Sequence, residues 1–202
     1  MEMPALDKNI TCCFVGYRPH KFTYPRGEEK AFFEQLKEDI LNAIARCYSE
    51  GYRNFLCGGS MGFDIMGGEG VVQFKKEHPD VKLGCILPFE KQHKKFPFKW
   101  RRRYRNLLEN SDFINYITLD YVNGCCSEKK KKMLQNSSRI ITYFDGKRGG
   151  TARVVAYAQI NRIEVLNLSK DYPIPENITF FTGRRVIEQP DDPKTENFNN
   201  GY

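Results

Sequence analysis

The sequence lacks any long apolar run. Within its 202 residues, no window approaches about eighteen uncharged apolar residues, the length that a membrane-spanning helix requires. The first residues, MEMPALDKNI, do not place a basic segment ahead of an apolar stretch, as a secretory signal does. We therefore predict that the protein has no membrane partner and a cytoplasmic location.

Cysteine and histidine are present without the spacing that a metal site or a disulfide framework needs. There is no CxxC pair, and the three histidines lie far apart in the chain, with no triad spacing. Most of the cysteines lie inside apolar runs, so we interpret them as reduced core residues. These patterns predict neither a metal ion nor a cofactor. The positions are Cys12, Cys13, Cys47, Cys57, Cys85, Cys125 and Cys126, with His20, His78 and His93.

Three common catalytic fingerprints are also missing. No GxGxxG follows the first apolar run, and no GxxxxGK[ST] occurs, which excludes the usual dinucleotide-binding and P-loop classes. Ser60 has no nucleophile elbow around it, so nucleophilic catalysis by this serine is not predicted.

Apolar and aromatic residues are plentiful. Hydrophobic residues make up 40% of the chain, which also carries 15 Phe and 11 Tyr, too much for a disordered protein. The length suits one core, and we predict a single Rossmann-like domain over residues 1–170. Residues 171–202 turn polar and contain proline, which indicates a partly packed extension with a flexible end. Within it, FTGRRVIE at 181–188 could form an extra edge element.

Short apolar runs alternate with helix-length segments throughout. The first helix is the clearest, because apolar residues recur every three or four positions between charges. This alternation predicts an α/β fold, a Rossmann-like doubly wound and mostly parallel sheet of about six strands, with helices on both faces. The predicted strands are 10–16, 54–58, 82–88, 113–118, 139–144 and 164–169, and the predicted helices are 28–51, 62–76, 100–108, 127–134 and 151–160.

Two glycine-rich turns lie at the predicted binding edge of the sheet. Each of them follows a strand and leads into a helix. A helix that begins in this way directs free N–H groups toward an anion, and phosphate is the expected ligand. The alternative is that the paired glycines only form tight turns, and that Gly67, Gly68 and Gly70 let a helix press against the sheet. We interpret the first pair as clearing space for a phosphate. The ligand candidates in these turns are Gly58, Gly59, Ser60, Asp64, Gly149, Gly150 and Thr151.

Other side chains could complete such a site. Arg18 follows the first strand, and its guanidinium could hold a phosphate through two parallel hydrogen bonds. Four aromatic residues could stack on a base, although most aromatics in this chain must fill the core. They are Tyr17, Trp100, Tyr104 and Tyr121.

The net charge of +7 favours anionic partners. The basic residues concentrate in KQHKK at 91–95, KWRRRYR at 99–105 and KKKK at 129–132. Nucleotides and nucleic acid both suit such runs, and a solvated basic face is the simpler alternative for each.

The motifs GYRP at 16–19, GGSMGFD at 58–64 and YFDGKRGGTARVVAYA at 143–158, taken in order, resemble the YpsA-like branch of the SLOG superfamily. That superfamily includes Smf/DprA and the LOG phosphoribohydrolases. The resemblance covers about residues 10–170 and implies a pocket for nucleotides or nucleotide-derived ligands. The resemblance implies that the residues at the rim of that pocket are Gly16, Tyr17, Arg18, Gly58, Gly59, Ser60, Met61, Asp64, Gly149, Gly150 and Thr151.

The chain departs from the LOG pattern at the catalytic position. LOG enzymes cleave the N-glycosidic bond of nucleoside monophosphates with a PGGxGTxxE motif, and the glutamate position is Val154 here. YpsA-like proteins often carry Arg-Asn ahead of a methionine in the fourth helix, where this chain has Lys129 and Lys130 before Met133. The resemblance therefore favours binding over turnover.

We expect the protein to bind a nucleotide-derived small molecule, of the ADP-ribose type or another nucleoside phosphate, as a sensor or sequestering protein. One alternative is a nucleotide N-glycoside or phosphoester hydrolase, for which the nearest acids are Asp64, Glu69, Asp145 and Glu128. A second alternative is binding of single-stranded nucleic acid through KWRRRYR. Exposed edge strands of a parallel sheet also lead us to expect a homo-oligomer.

Overall fold

The structure is a computed structural model, and it describes residues 3–170. The edge element proposed at 181–188 and the polar extension lie outside the described residues. The strands are β1 (Thr11–Phe14), β2 (Asn54–Cys57), β3 (Lys82–Phe89), β4 (Phe113–Thr118), β5 (Arg139–Thr142) and β6 (Glu164–Asn167). The α-helices are α1 (Glu29–Ser49), α2 (Phe63–Phe74), α3 (Phe98–Glu109), α4 (Cys125–Gln135) and α5 (Gly150–Ile160). Short 3-10 helices occupy Lys8–Ile10, Pro19–Lys21 and Gln92–Lys95.

The six strands form one sheet in the order β4-β3-β2-β1-β5-β6. Every neighbouring pair is parallel, so the predicted Rossmann-like α/β fold is confirmed, with a wholly parallel sheet in the described residues. Strands β1 and β2 are buried along nearly their whole length because helices cover the sheet.

The strand order reverses beside β1. The chain proceeds outward from β1 through β2, β3 and β4, then returns through α4 to β5 on the other side of β1. The loops after β1 and β5 therefore diverge and leave a crevice at the carboxyl end of the sheet, where open α/β folds bind ligands.

Glycines let α2 approach its neighbours closely. A side-chain carbon at Gly67 would lie 2.4 Å from the Phe14 ring of β1, and one at Gly70 would lie 2.9 Å from Ile40 of α1. At Gly68 the obstacle would be Leu107 of α3, at 2.5 Å. The prediction that these glycines let the helix press against the sheet is confirmed for Gly67 and for Gly68, which would also meet Cys57 of β2 at 3.2 Å, whereas Gly70 faces α1 instead.

Six of the seven cysteines are buried and Cys126 is partly exposed; all seven are free thiols. Most of them belong to the core between sheet and helices, as predicted. Across residues 3–170, none of the helices has the length and apolar character that crossing a bilayer would require.

Candidate functional site

A cleft of about 380 Å³ opens at the carboxyl end of the sheet. Its walls come from the segments that follow β1, β2, β3, β4 and β5, so it lies across the point where the strand order reverses. Pockets of about 300–1,000 Å³ suit small-molecule ligands. The lining includes Gly16, Arg18, His20, Lys21, Ser60, Met61, Asp64, Gln92, Phe96, Tyr121, Asn123, Lys129, Lys130, Gly149, Gly150, Thr151 and Arg153.

Three helices that border the cleft are each preceded by a glycine. The residues before the first turns of α2, α4 and α5 are Gly62, Gly124 and Gly149, and none of these three helices has a side-chain cap. Each of these glycines has a positive φ, between 86° and 146°, a conformation that disfavours other residues. Because the first N–H groups of a helix have no partner within it, uncapped starts leave donors for an anion. The first N–H of α2 and that of α4 are already used, since Phe63 donates to the Tyr17 carbonyl at 2.9 Å and Cys125 to the Val122 carbonyl at 3.1 Å.

A buried ion pair forms the floor of the cleft. The Lys129 ammonium lies 3.6 Å from a carboxylate oxygen of Asp64, and both side chains are 5% exposed. The ammonium also donates to the Gly58 carbonyl at 3.2 Å and to the Ser60 hydroxyl oxygen at 2.9 Å. Asp64 accepts a hydrogen bond from the Gly16 N–H at 3.3 Å. This network joins the loops after β1 and β2 to α4.

The network explains why residue 58 is glycine. A side-chain carbon there would lie 2.5 Å from the Lys129 nitrogen and 2.7 Å from a carboxylate oxygen of Asp64. At Gly59, where φ is +64°, the obstacles would be Leu87 and Gln92. The space beside these two glycines, which the sequence analysis assigned to a phosphate, is filled by the chain's own side chains.

Positive charge dominates the lining. Its basic residues, His20 aside, are Arg18, Lys21, Lys129, Lys130 and Arg153, whereas Asp64 is the one carboxylate that the described residues contribute. Asp64 is already paired with Lys129, so the cleft keeps a surplus of positive charge. In a concave site such a surplus attracts and holds anions.

One aromatic residue that the sequence analysis proposed for base stacking lines the cleft. Tyr121 is 54% exposed and packs edge-on against Phe89, at 5.5 Å between ring centres. Tyr104 is buried and hydrogen bonded to Gln92, and burial raises the pKa of its hydroxyl well above the usual range. Trp100 lies beneath the Arg103 guanidinium on α3. Of the four proposed aromatic residues, Tyr121 is therefore the one placed to meet a base.

Tyr17 and Asp145 form a second buried unit, outside the lining of the cleft. The Tyr17 hydroxyl donates to Asp145 at 2.5 Å, and burial together with this bond raises the pKa of Tyr17 to about 12. Burial alone would raise the pKa of Asp145, but the Lys147 ammonium and the Tyr17 hydroxyl lower it below the usual value. Both residues thus fix the loop that leads into α5.

Glu69 also lies away from the cleft. Its two carboxylate oxygens accept from Arg103 on α3, at 2.8 and 2.5 Å, which joins α2 to α3. Glu128 is exposed and is likewise absent from the lining. Of the four acids considered for hydrolysis, the structure brings only Asp64 to the cleft, so the described residues do not assemble a carboxylate pair there.

Most of the expected binding residues do meet in the cleft. Those that line it are Gly16, Arg18, Ser60, Met61, Asp64, Gly149, Gly150 and Thr151. Gly58 and Gly59 support it from behind through the contacts described above, and Tyr17 is buried against Phe22, Tyr143 and Phe144.

Sequence reasoning missed Lys129 as a functional residue because it lies in a run of four lysines. A signal was present, since Cys125, Lys129 and Met133 recur every four positions and all three are buried. Lys21, Lys130 and Arg153 were also missed, and their positions gave no comparable signal.

Comparisons with known proteins agree with the fold. The YpsA family model, described as the YspA SLOG family, matches residues 12–180. A UPF0398 protein of Brevibacillus brevis is 27% identical over 143 residues, covering 70% of this chain and 76% of that protein. The UPF0398 protein YpsA of Bacillus subtilis is 23% identical over 141 residues, 69% of this chain and 78% of its own. The SPbeta prophage-derived protein YoqJ of Bacillus subtilis is 26% identical over 164 residues, covering 74% of this chain and 96% of that protein.

Proposed function

The chain belongs to the YspA SLOG family, and from that premise we propose that its cleft binds a nucleotide-derived small molecule through the phosphate groups. The observation that carries the proposal is the charge of the lining, in which four lysine and arginine side chains remain in excess once Lys129 is paired with the Asp64 carboxylate. A phosphate-bearing ligand neutralises this surplus, whereas an uncharged nucleoside does not.

The phosphate is held between α5 and the loop after β1. Arg18 and Lys21 come from that loop, and Gly150 and Thr151 begin α5. A side-chain carbon at Gly149 would lie 2.6 Å from the Lys21 nitrogen, which places this ammonium beside the start of the helix. Backbone N–H groups and two cations thereby converge on one anion.

The base and sugar extend toward the loops after β3 and β4. Tyr121 offers a ring face and Asn123 an amide group, and Gln92 lines the same side with its amide nitrogen bonded to the Tyr104 hydroxyl. A neutral, polar and aromatic region opposite a cationic one matches the two ends of a nucleoside phosphate. The protein then acts as a sensor or sequestering protein, because a single paired carboxylate does not supply the acid and base that glycosidic hydrolysis uses.

The test is calorimetric titration of the purified protein with AMP, ADP, ADP-ribose, NAD and adenosine. We expect at least one phosphate-bearing compound to bind and adenosine to bind much more weakly. Flat isotherms for all phosphate-bearing compounds, or equal affinity for adenosine, would contradict the proposal.

The same incubations separate binding from turnover. Mass spectrometry of the unbound fraction should recover the nucleotide intact, while denaturing the protein should release the same compound. Accumulation of free base or sugar phosphate would instead identify a hydrolase, and the Asp64→Asn variant would then show whether the carboxylate in the cleft takes part.

A further inference from the structure

The outer face of α3 carries an exposed basic groove, separate from the cleft. Phe98, Arg101, Arg102 and Arg105 lie at helical spacings that place them on one side of the helix, and they enclose a shallow groove of about 320 Å³. None of these four side chains lines the cleft. We call this set of four residues the α3 groove.

The arginines of the α3 groove have no carboxylate partner among the described residues. Arg101, Arg102 and Arg105 are exposed and form no ion pair within residues 3–170. Arg103 on the same helix differs, because it is paired with Glu69 and packs over the Trp100 ring. The structure therefore uses the inner arginine for packing and leaves three guanidinium groups facing solvent.

Phe98 adds an exposed aromatic ring to this charge. It is 74% exposed, the largest value among the large hydrophobic side chains of the described residues. A solvent-facing phenylalanine has no role in the core, but it offers a flat face on which a planar group can stack. Its position one turn before Arg101 and Arg102 places that face beside their guanidinium groups.

From this juxtaposition we infer that the α3 groove binds single-stranded nucleic acid. The three arginines contact successive phosphates and Phe98 stacks on an unpaired base, the combination that single-strand-binding surfaces use. The distance along the helix from residue 98 to residue 105 is about 10 Å, enough to follow a short stretch of backbone. A duplex keeps its bases inside its stack and offers Phe98 no face to meet.

Exposed lysines extend the surface beyond the groove. Lys94 and Lys95 precede α3, and Lys99 lies in its first turn; all three are exposed. Among residues 91–108 there is no acid, so no repulsion of phosphate arises from this stretch of the chain. The net charge of +7 also attracts the phosphates of a nucleic acid from a longer distance.

The test is fluorescence anisotropy of the whole protein with labelled oligo-dT and oligo-rU at several salt concentrations. We expect affinity for at least one oligomer to fall as salt rises, with a logarithmic slope of about −0.7 for each phosphate neutralised. Replacing Arg101, Arg102 and Arg105 together with Gln should reduce that slope by about 2 units. An unchanged slope and affinity in this triple variant would overturn the inference.

A matched control removes the same charge elsewhere. Lys8, Lys30 and Lys76 are exposed and form no ion pair among the described residues, so changing all three to Gln lowers the net charge equally. This control variant should keep most of its oligonucleotide affinity. Equal losses in the two triple variants would show that net charge alone acts, and the α3 groove would not be a site.

Phe98 distinguishes stacking from charge. Phe98→Ala should lower affinity for single strands about tenfold, and Phe98→Trp should restore it, because base stacking tolerates any aromatic ring. If Phe98→Ala binds normally and polyglutamate of matched charge competes as well as the oligonucleotide, the surface recognises charge only and the inference fails. Equal binding of duplex and single strand would also overturn it.

The inference is independent of the proposed small-molecule site. Nucleotide titrations of the Arg101, Arg102 and Arg105 triple variant should match those of the wild type, because none of these residues lines the cleft. Comparison of oligo-dT with oligo-rU then identifies which kind of single strand the surface prefers.

Discussion

The ammonium nitrogen of Lys129 lies 3.6 Å from a carboxylate oxygen of Asp64, and each of the two side chains is 5% exposed. Both charges are thus removed from solvent, and each depends on the other and on the polar groups around it. Gly58 and Ser60 supply those groups by accepting hydrogen bonds from the ammonium. This pair therefore couples the stability of the fold to the shape of the cleft.

We predict that Lys129→Met lowers the free energy of unfolding by about 3–5 kcal/mol, because it leaves Asp64 charged, buried and without its partner. Urea denaturation measures the change. Lys131→Met is the control, since Lys131 is exposed on the same helix and its loss should change stability by no more than about 0.5 kcal/mol. Adding Asp64→Asn to Lys129→Met should recover part of the loss. Equal stability of the two single variants would contradict the prediction.

Arg18→Gln should weaken binding of a phosphate-bearing nucleotide by about 10- to 100-fold, the range for one hydrogen bond to a charged group. Adenosine binding and the free energy of unfolding should hardly change, because Arg18 lines the cleft and is partly exposed. Calorimetric titration gives both affinities. Arg26→Gln removes an exposed arginine outside the cleft and serves as the control; a similar loss in both variants would point to charge in general.

Glu69→Gln should leave nucleotide binding unchanged and lower the free energy of unfolding by about 1 kcal/mol. The reason is that Glu69 joins α2 to α3 through Arg103, with side chains that are 30% and 23% exposed. A double-mutant cycle with Arg103→Gln should give a coupling of about 0.5–1 kcal/mol. Loss of nucleotide binding at unchanged stability would instead assign Glu69 to the ligand site.

Stability should depend on Asp145 in a pH-dependent way. Its pKa is lowered in the folded chain, although burial opposes the shift, because Lys147 and Tyr17 stabilise the carboxylate. A lowered folded pKa gives stability that is present above the unfolded value of about 3.9 and is lost as pH falls through the folded pKa. The gap in unfolding free energy between wild type and Asp145→Asn should therefore be widest above about pH 5 and narrow toward about pH 2.

Urea unfolding at a series of pH values measures this gap. Lys147→Met provides the comparison, because without the ammonium the Asp145 pKa should move upward, toward the unfolded value, so the pH-dependent part of the gap should be smaller and should finish closing at a higher pH. A gap that stays constant across the acidic range would show that Asp145 acts through packing alone.

The elements of the fold were predictable from local patterns. All six strands and all five helices of the described residues lie where apolar periodicity and glycine placed them, with ends that differ by a few residues. The α1 helix illustrates the reason, since Leu36, Ile40, Ile44 and Cys47 recur on one buried face and Gly51, at φ +96°, ends it. Periodicity reports which face of an element is buried, and that is sufficient to specify a βαβ alternation.

The partners of polar side chains were not predictable in the same way. Tyr17 was placed at the site by the family resemblance, and Glu69 and Asp145 were considered for the hydrolase alternative, and the structure gives each a partner outside the cleft. Two of the three contacts join segments more than 30 residues apart, where spacing along the chain carries no information. Such pairings follow from how the elements pack.

The sequence by itself therefore determined the strand and helix alternation, the glycine starts of α2 and α5 and the excess of basic residues. Only the tertiary structure decided that Lys129 is buried against Asp64, that Gly58 is required by that pair, and that Arg103 is used for packing while Arg101 and Arg102 face solvent. The physical reason is that local patterns act through backbone conformation and burial of a face, whereas a charge meets its partner only when distant elements come together.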